Sequence, residues 1–91
     1  MVQNVVAEHY NIKLSDMKSK RRTEILAVPR QIAMYIAREL TNESHISIGE
    51  AFGGKDHSTV IHAINKIKAK VSSDPFFNAE INKIIKKIKN D

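Results

Sequence analysis

The sequence predicts an all-α domain of about six helices organised around a helix-turn-helix. Apolar residues recur at helical spacing in several segments, among them Ile32, Ile36 and Leu40, and Phe77, Ile81, Ile84, Ile85 and Ile88. No segment shows the strict alternation of apolar and polar residues that marks a half-buried strand. Gly53-Gly54 separates two short helical patterns, which leaves the polar cluster Lys55-Asp56-His57-Ser58-Thr59 at the start of the second. A helix-turn-helix presents its reading residues to the major groove at that position.

Taken in order, Val2, Val5, Val6, His9 and Tyr10 share one face of a first helix, with Tyr10 at the core edge and Asn11 placed to end it as a left-handed cap. Ser15-Asp16-Met17-Lys18 reads as a short helical turn capped by Ser15. Ser19-Lys20-Arg21-Arg22-Thr23 is polar and aperiodic, hence a loop. Its adjacent basic residues suit an arm reaching into a minor groove, a narrow negative channel that accepts arginine well, and equally describe a solvated basic loop. Pro29 is compatible with the first turn of a helix. A central helix is therefore expected from Pro29 through Leu40, with Arg30 and Gln31 at its N-terminal end, where unpaired N–H groups favour an anion such as phosphate.

Thr41-Asn42-Glu43-Ser44-His45 makes a polar break. Ser47-Ile48-Gly49-Glu50 then has the Ser-x-x-Glu arrangement of a capping box and opens a short helix. Beyond the glycines, Val60, Ile61, Ile64, Ile67 and Val71 carry the second helix, so the helix-turn-helix is placed within residues 47–71. Asp74 as N-cap and Pro75 at the first helical position open a final helix that packs its isoleucines and exposes Lys83, Lys86, Lys87 and Lys89.

Ninety-one residues make a single domain, 1–91, with a small core, a size that suits a binding module better than an enzyme. The absence of cysteine excludes a disulfide framework, a thiol nucleophile and a Cys-based zinc site. No apolar run approaches a membrane span and no secretory h-region is present, so a cytoplasmic location is expected. The net charge of +5 points to an acidic partner. Lys13, Lys18, Lys20, Arg21, Arg22, Arg30 and Arg38 crowd one segment, and Lys66, Lys68 and Lys70 follow the Gly-Gly turn.

Catalytic and metal chemistry find little support. His57 and His62 are five residues apart, which does not put them on one helical face, and His9 and His45 lie in other segments. Gly53-Gly54-Lys55 lacks the spacing of a phosphate-cradling loop. Ser58 beside His57 is a poor hydrolytic pair, because adjacent helical residues diverge. DNA recognition explains the residue types better. Ser58 and Thr59 are small enough to let a helix end approach a duplex, and their hydroxyls can bond phosphates or base edges. His57 offers a ring donor or acceptor and an apolar face. Asp56 repels phosphate, so it either caps the helix or accepts from an exposed amino group of cytosine or adenine and adds discrimination. His62 and Lys66 lie on the same outward side, one and two turns further on.

The run Ile48-Gly49-Glu50-Ala51-Phe52-Gly53-Gly54-Lys55-Asp56-His57-Ser58-Thr59-Val60-Ile61-His62-Ala63, with Ser19-Lys20-Arg21-Arg22 and Pro29-Arg30-Gln31-Ile32-Ala33-Met34, resembles the C-terminal DNA-binding domain (domain IV) of the bacterial replication initiator DnaA. The similarity covers essentially the whole chain. Met1 is then read as an added start and the chain as one domain of a larger protein.

The resemblance implies a six-helix, Trp-repressor-like helix-turn-helix domain that binds asymmetric, A/T-rich DnaA boxes similar to TTATNCACA in replication origins, as a monomer. It implies that Asp56, His57 and Ser58 read bases in the major groove and that Arg22 enters the adjacent minor groove. Arg30, Gln31, Arg38, Thr59, His62 and Lys66 match positions that contact the phosphate backbone, and Lys20, Arg21, Ile46 and Lys55 match positions near the DNA. The family's ATP-binding AAA+ domain has no counterpart among these residues, so neither enzymatic activity nor a cofactor is expected here. Ser58 stands where threonine is common, Lys55 where arginine is frequent, and His45-Ile46 where Leu-Pro is frequent. The function expected is sequence-specific double-stranded DNA binding for initiation and regulation of chromosomal replication, in the nucleoid. The alternatives are a helix-turn-helix transcription regulator, and a basic module binding acidic phospholipid or a regulatory protein partner.

Overall fold

The computed structural model describes residues 1–90. It contains α1 (Val2–His9), a 3-10 turn (Leu14–Met17), α2 (Glu24–Thr41), α3 (His45–Ala51), α4 (His57–Ser73) and α5 (Pro75–Lys89), with no strand among the described residues. This is the all-α architecture that the periodicity predicts, the short turn making the sixth helical element.

Helix α1 ends as its sequence suggests. Asn11 takes φ 56°, the Asn11 N–H donates to the Glu8 carbonyl at 3.2 Å and the Ile12 N–H to the Ala7 carbonyl at 2.9 Å. That pair of bonds is a Schellman motif, which satisfies carbonyls that a helix end otherwise leaves free. The 3-10 turn starts one residue earlier than expected. The Lys13 N–H donates to the Asp16 carboxylate at 3.1 Å, so a charged acceptor at the end of the turn replaces the exposed Ser15 hydroxyl as its cap.

Helix α2 differs most from expectation, beginning at Glu24 rather than at Pro29. Its first turn is already closed before the proline, with the Leu26 and Ala27 N–H groups donating to the Thr23 carbonyl at 3.0 and 2.8 Å. Pro29 then withholds only the one bond that its own N–H would have given to the Ile25 carbonyl, and Ile25 is exposed, so water can replace it. Arg30 and Gln31 are consequently interior residues whose helical N–H groups are already paired, and the anion-favouring helix end expected there does not exist. From Ile32 to Ile36 every residue is buried, so this middle stretch of α2 is covered on all sides and forms the centre of the fold. Asn42, at φ 57°, ends it.

Helix α3 also starts early. Ser44 caps it, its hydroxyl accepting from the Ser47 N–H at 3.0 Å, and Glu50 of the expected capping box is simply exposed. The turn into α4 uses both glycines at positive φ, 87° for Gly53 and 81° for Gly54, a region that costs a side-chain-bearing residue about 1–2 kcal/mol. Helix α5 opens as predicted, the Asp74 carboxylate accepting from the Phe76 and Phe77 N–H groups at 3.0 and 3.1 Å ahead of Pro75.

One hydrophobic cluster unites the elements. Val6 and Ala7 of α1, Met17 of the turn, Ile32 to Ile36 of α2, Ile48 of α3, Phe52, Val60, Ile64 and Ile67 of α4, and Phe77, Ile81, Ile84 and Ile88 of α5 all belong to it. Helices α2 and α4 pack against each other, α3 packs on α4, and α5 closes against α4 and α1. The lysine face of α5 is exposed as the periodicity predicts. No described helix is long and apolar enough to cross a membrane.

Candidate nucleic-acid interface

The close fit of α3 against the turn sets the position of α4. A Cβ on Gly49 would lie 2.2 Å from the Lys55 carbonyl oxygen, and the Gly49 carbonyl accepts from the N–H groups of Gly54 and Lys55 at 3.0 and 2.8 Å. The chain can fold back so tightly only because residue 49 carries no side chain. The Val60 side chain packs beneath this crossing, 3.5 Å from the same Cβ position.

Asp56 occupies the N-cap position of α4, yet its carboxylate bonds no helical N–H. It accepts instead from the Ser58 hydroxyl at 3.3 Å and lies 3.9 Å from His57 Nδ1. The side chains of His57 and Asp56 are 59% and 75% exposed. The first turn of α4 thus presents N–H groups without a side-chain cap together with an exposed carboxylate, an imidazole and two hydroxyls, those of Ser58 and Thr59. Thr59, His62 and Lys66 lie three and seven residues apart along one exposed side of the helix. The expectation that these residues share one outward surface is met.

The basic loop, residues 19–23, has no regular structure, and Lys20, Arg21 and Arg22 are exposed. Among the described residues the Arg22 guanidinium has no hydrogen-bond partner, whereas the Arg21 N–H donates to the Ser19 hydroxyl at 3.2 Å. This loop abuts the Gly-Gly turn, since a Cβ on Gly53 would fall 2.5 Å from the Lys18 carbonyl oxygen. Segments more than thirty residues apart in sequence are therefore neighbours.

Two cations placed near DNA by the resemblance point inward. Arg30 is 7% exposed and donates to the Asp16 carbonyl at 3.2 Å, the Ser19 hydroxyl at 3.3 Å and the Arg21 carbonyl at 2.9 Å. Lys55 is half-buried, and its ammonium donates to the carbonyls of Lys18 at 3.3 Å, Ser19 at 2.9 Å and Phe52 at 3.1 Å. Burial lowers the Lys55 pKa, and the nearby positive charges of Arg30 and Lys20 lower it further. Burial likewise lowers that of Arg30, partly offset by Asp16, but a guanidinium remains charged throughout the working range of pH.

The remaining candidates occupy the flanks. Arg38 donates to the Glu43 carbonyl beyond the end of α2. Gln31 is half-buried, and its amide oxygen has no donor among the described residues. Ile46 is 62% exposed in the first turn of α3. Ser19, expected only as part of the basic loop, bonds both the Arg21 N–H and Arg30; a serine two residues before an N–H it can bond is a local turn signal. Among the described residues no three His, Cys, Asp or Glu side chains converge as a metal site would require.

A family model described as "Bacterial dnaA protein helix-turn-helix" matches residues 1–67. The chain is 53% identical over 88 residues to the chromosomal replication initiator protein DnaA of Citrifermentans bemidjiense, covering 97% of the chain and 19% of that relative. It is equally similar, over the same shares, to the protein of that name from a Geobacter species, strain M21. It also resembles a solved structure described as a DNA replication initiation factor, with a TM-score of 0.85 and 34% identity, over 94% of the chain and 26% of the solved one. The chain thus spans about a fifth of the length of the relatives it matches.

Proposed function

The chain belongs to the bacterial DnaA helix-turn-helix family, and from that premise we propose that it recognises DnaA boxes as a single copy and so directs a larger initiator to replication origins. The first turn of α4 carries this reading. Its carboxylate, imidazole and hydroxyl are exposed, and its cap position is held by an Asp56 side chain free of capping duty. Asp56, His57 and Ser58 address base edges in the major groove, where donor and acceptor patterns are unique to each pair. Thr59, His62 and Lys66 follow the adjoining phosphates. Arg22, exposed and without a partner among the described residues, enters the minor groove of the A/T-rich end, with Lys20 and Arg21 adding charge beside it. Gln31, Arg38 and Ile46 flank the duplex. The setting is the cytoplasm, at the nucleoid.

The test is a gel shift of the 91-residue chain against a TTATNCACA duplex and scrambled duplexes at one physiological salt concentration. Box preference should exceed scrambled sequence by about a thousandfold or more, the lower end for specific DNA-binding proteins. Equal binding to all duplexes would remove the reading. A lipid-surface role is less well supported, because Ile81, Ile84 and Ile88, the apolar residues α5 would have to insert, are buried in the core.

A further inference from the structure

We propose that Arg30 and Lys55 are positioning residues that lock the basic loop to the helix-turn-helix, so that the minor-groove and major-groove readers act at one fixed spacing. The inference rests on the box-binding reading given above and deepens it.

The two cations converge on one short stretch of backbone. Between them they hold the carbonyls of Asp16, Lys18, Ser19 and Arg21 and the hydroxyl of Ser19. With these groups turned inward, the same stretch leaves Lys20, Arg21 and Arg22 exposed. The path is short at both ends. Lys55 directly precedes Asp56 in the chain, and the carbonyl that Arg30 holds most closely, that of Arg21, is the peptide directly before Arg22. The two readers are thus linked through the Arg30 and Lys55 side chains and the short backbone stretch that both hold. The glycine beside the loop strengthens the case, since the Lys18 carbonyl lies where a Gly53 side chain would begin.

A cation meant for phosphate has no use for this arrangement. It would stand exposed, as Lys66 does, and bond nothing among the described residues. Lys55 gives its three hydrogens to carbonyls, and Arg30 commits its Nε and Nη2 to two carbonyls and a hydroxyl of the same stretch. Carbonyl-bonded charges are stronger ties than neutral ones, and an untethered loop of several residues would have to be ordered anew on each encounter with DNA.

The experiment compares wild type with Lys55→Met on three duplexes: a box, a scrambled duplex, and a box with one base pair inserted between its A/T-rich end and the remainder. One added pair displaces the two halves by about 3.4 Å and rotates them by about 35°. Wild type should lose about tenfold or more on the inserted box. Lys55→Met should lose about tenfold on the intact box, should prefer intact over inserted by no more than about twofold, and should keep the salt slope of wild type. In an Arg22→Ala background Lys55→Met should cost nothing further, and Lys55→Arg should retain most of the affinity. Amide exchange of residues 20–22 in the free protein should quicken in Lys55→Met while that of α2 and α4 is unchanged.

A salt slope reduced by about one would make Lys55 a phosphate contact instead. A loss additive with Arg22→Ala, or an unchanged preference for the intact box, would equally overturn the proposal. Should Lys55→Met lose its helical signal, Arg30→Lys, which keeps the charge but not the fork of donors, carries the same comparison. Failure of wild type to prefer a box over scrambled sequence would sink the functional reading, while the exchange measurement still reports on the lock.

Discussion

Tyr10, the residue that caps the end of α1, donates its hydroxyl hydrogen to the Glu80 carboxylate of α5, joining the first helix of the fold to the last. His9 stands beside the same carboxylate, 3.8 Å away. Both partners are only half-buried, so the bond adds to a packed seam and does not create it.

Replacing Tyr10 by Phe should lower unfolding free energy by about 1.5–3 kcal/mol, the scale of a hydrogen bond to a charged group. The pH dependence follows from the raised pKa of Tyr10, caused first by burial and then by its bond to Glu80 and that residue's charge. A phenol whose folded pKa exceeds its unfolded value stabilises fully below about pH 10, and that contribution is lost as pH climbs above it. The lowered pKa of Lys55 acts in the opposite sense, but it is common to both proteins. Denaturant melts from pH 8 upward should therefore show a shallower alkaline decline in Tyr10→Phe than in wild type. Parallel curves would remove the bond.

The two aspartates at helix N-caps should respond oppositely to alanine. Asp74 accepts two N–H bonds, and Asp74→Ala should cost about 1 kcal/mol of stability. Asp56 accepts none. Asp56→Ala should leave the melting curve almost unmoved while narrowing the preference for a box over random duplex, with random-duplex affinity held or raised as a carboxylate leaves the phosphates. Equal loss on both duplexes would contradict a selective role.

Glycine substitutions separate crowding from backbone conformation. Alanine is intrinsically the better helix former by about 1 kcal/mol, yet Gly49→Ala should destabilise by about 2 kcal/mol or more, because its Cβ meets the Lys55 carbonyl at 2.2 Å. Gly54→Ala meets open space and only an unfavourable φ of 81°, and should cost about 1 kcal/mol. Thermal melts that reverse this order would contradict the tight crossing.

Lys66 offers the cleanest test of the phosphate track. Its exposed side chain makes no bond within the protein among the described residues. Lys66→Ala should weaken box and random duplex alike and flatten the log–log salt dependence by about one. An unchanged slope would place Lys66 outside the footprint.

What could be read from the residues divides along the range of the forces involved. Left-handed Asn11, the Asp74-Pro75 opening, the isoleucine stripe of α5 and the glycine turn rest on local backbone preferences and were legible. The starts of α2 and α3 were not. Pro29 is a breaker whose single missing bond the helix tolerates, and Ser44 captured the cap position ahead of a more conspicuous Ser47-x-x-Glu50. At the site, exposure along α4 followed from helical spacing. The inward turn of Arg30 and Lys55 did not, because a cation's partners here are carbonyls that come within reach only once the loop and the turn have met.

The family match ends at residue 67, but the hydrophobic cluster runs on through Phe77, Ile81, Ile84 and Ile88. The relatives match over 97% of the chain, so the border of the family model is not the border of the cooperative unit. A fragment cut at residue 67 would keep every side chain proposed to touch DNA and lose the wall against which α1 and α4 close, so it should behave as a loosely collapsed, aggregation-prone chain whose recognition helix is intact in sequence and absent in solution.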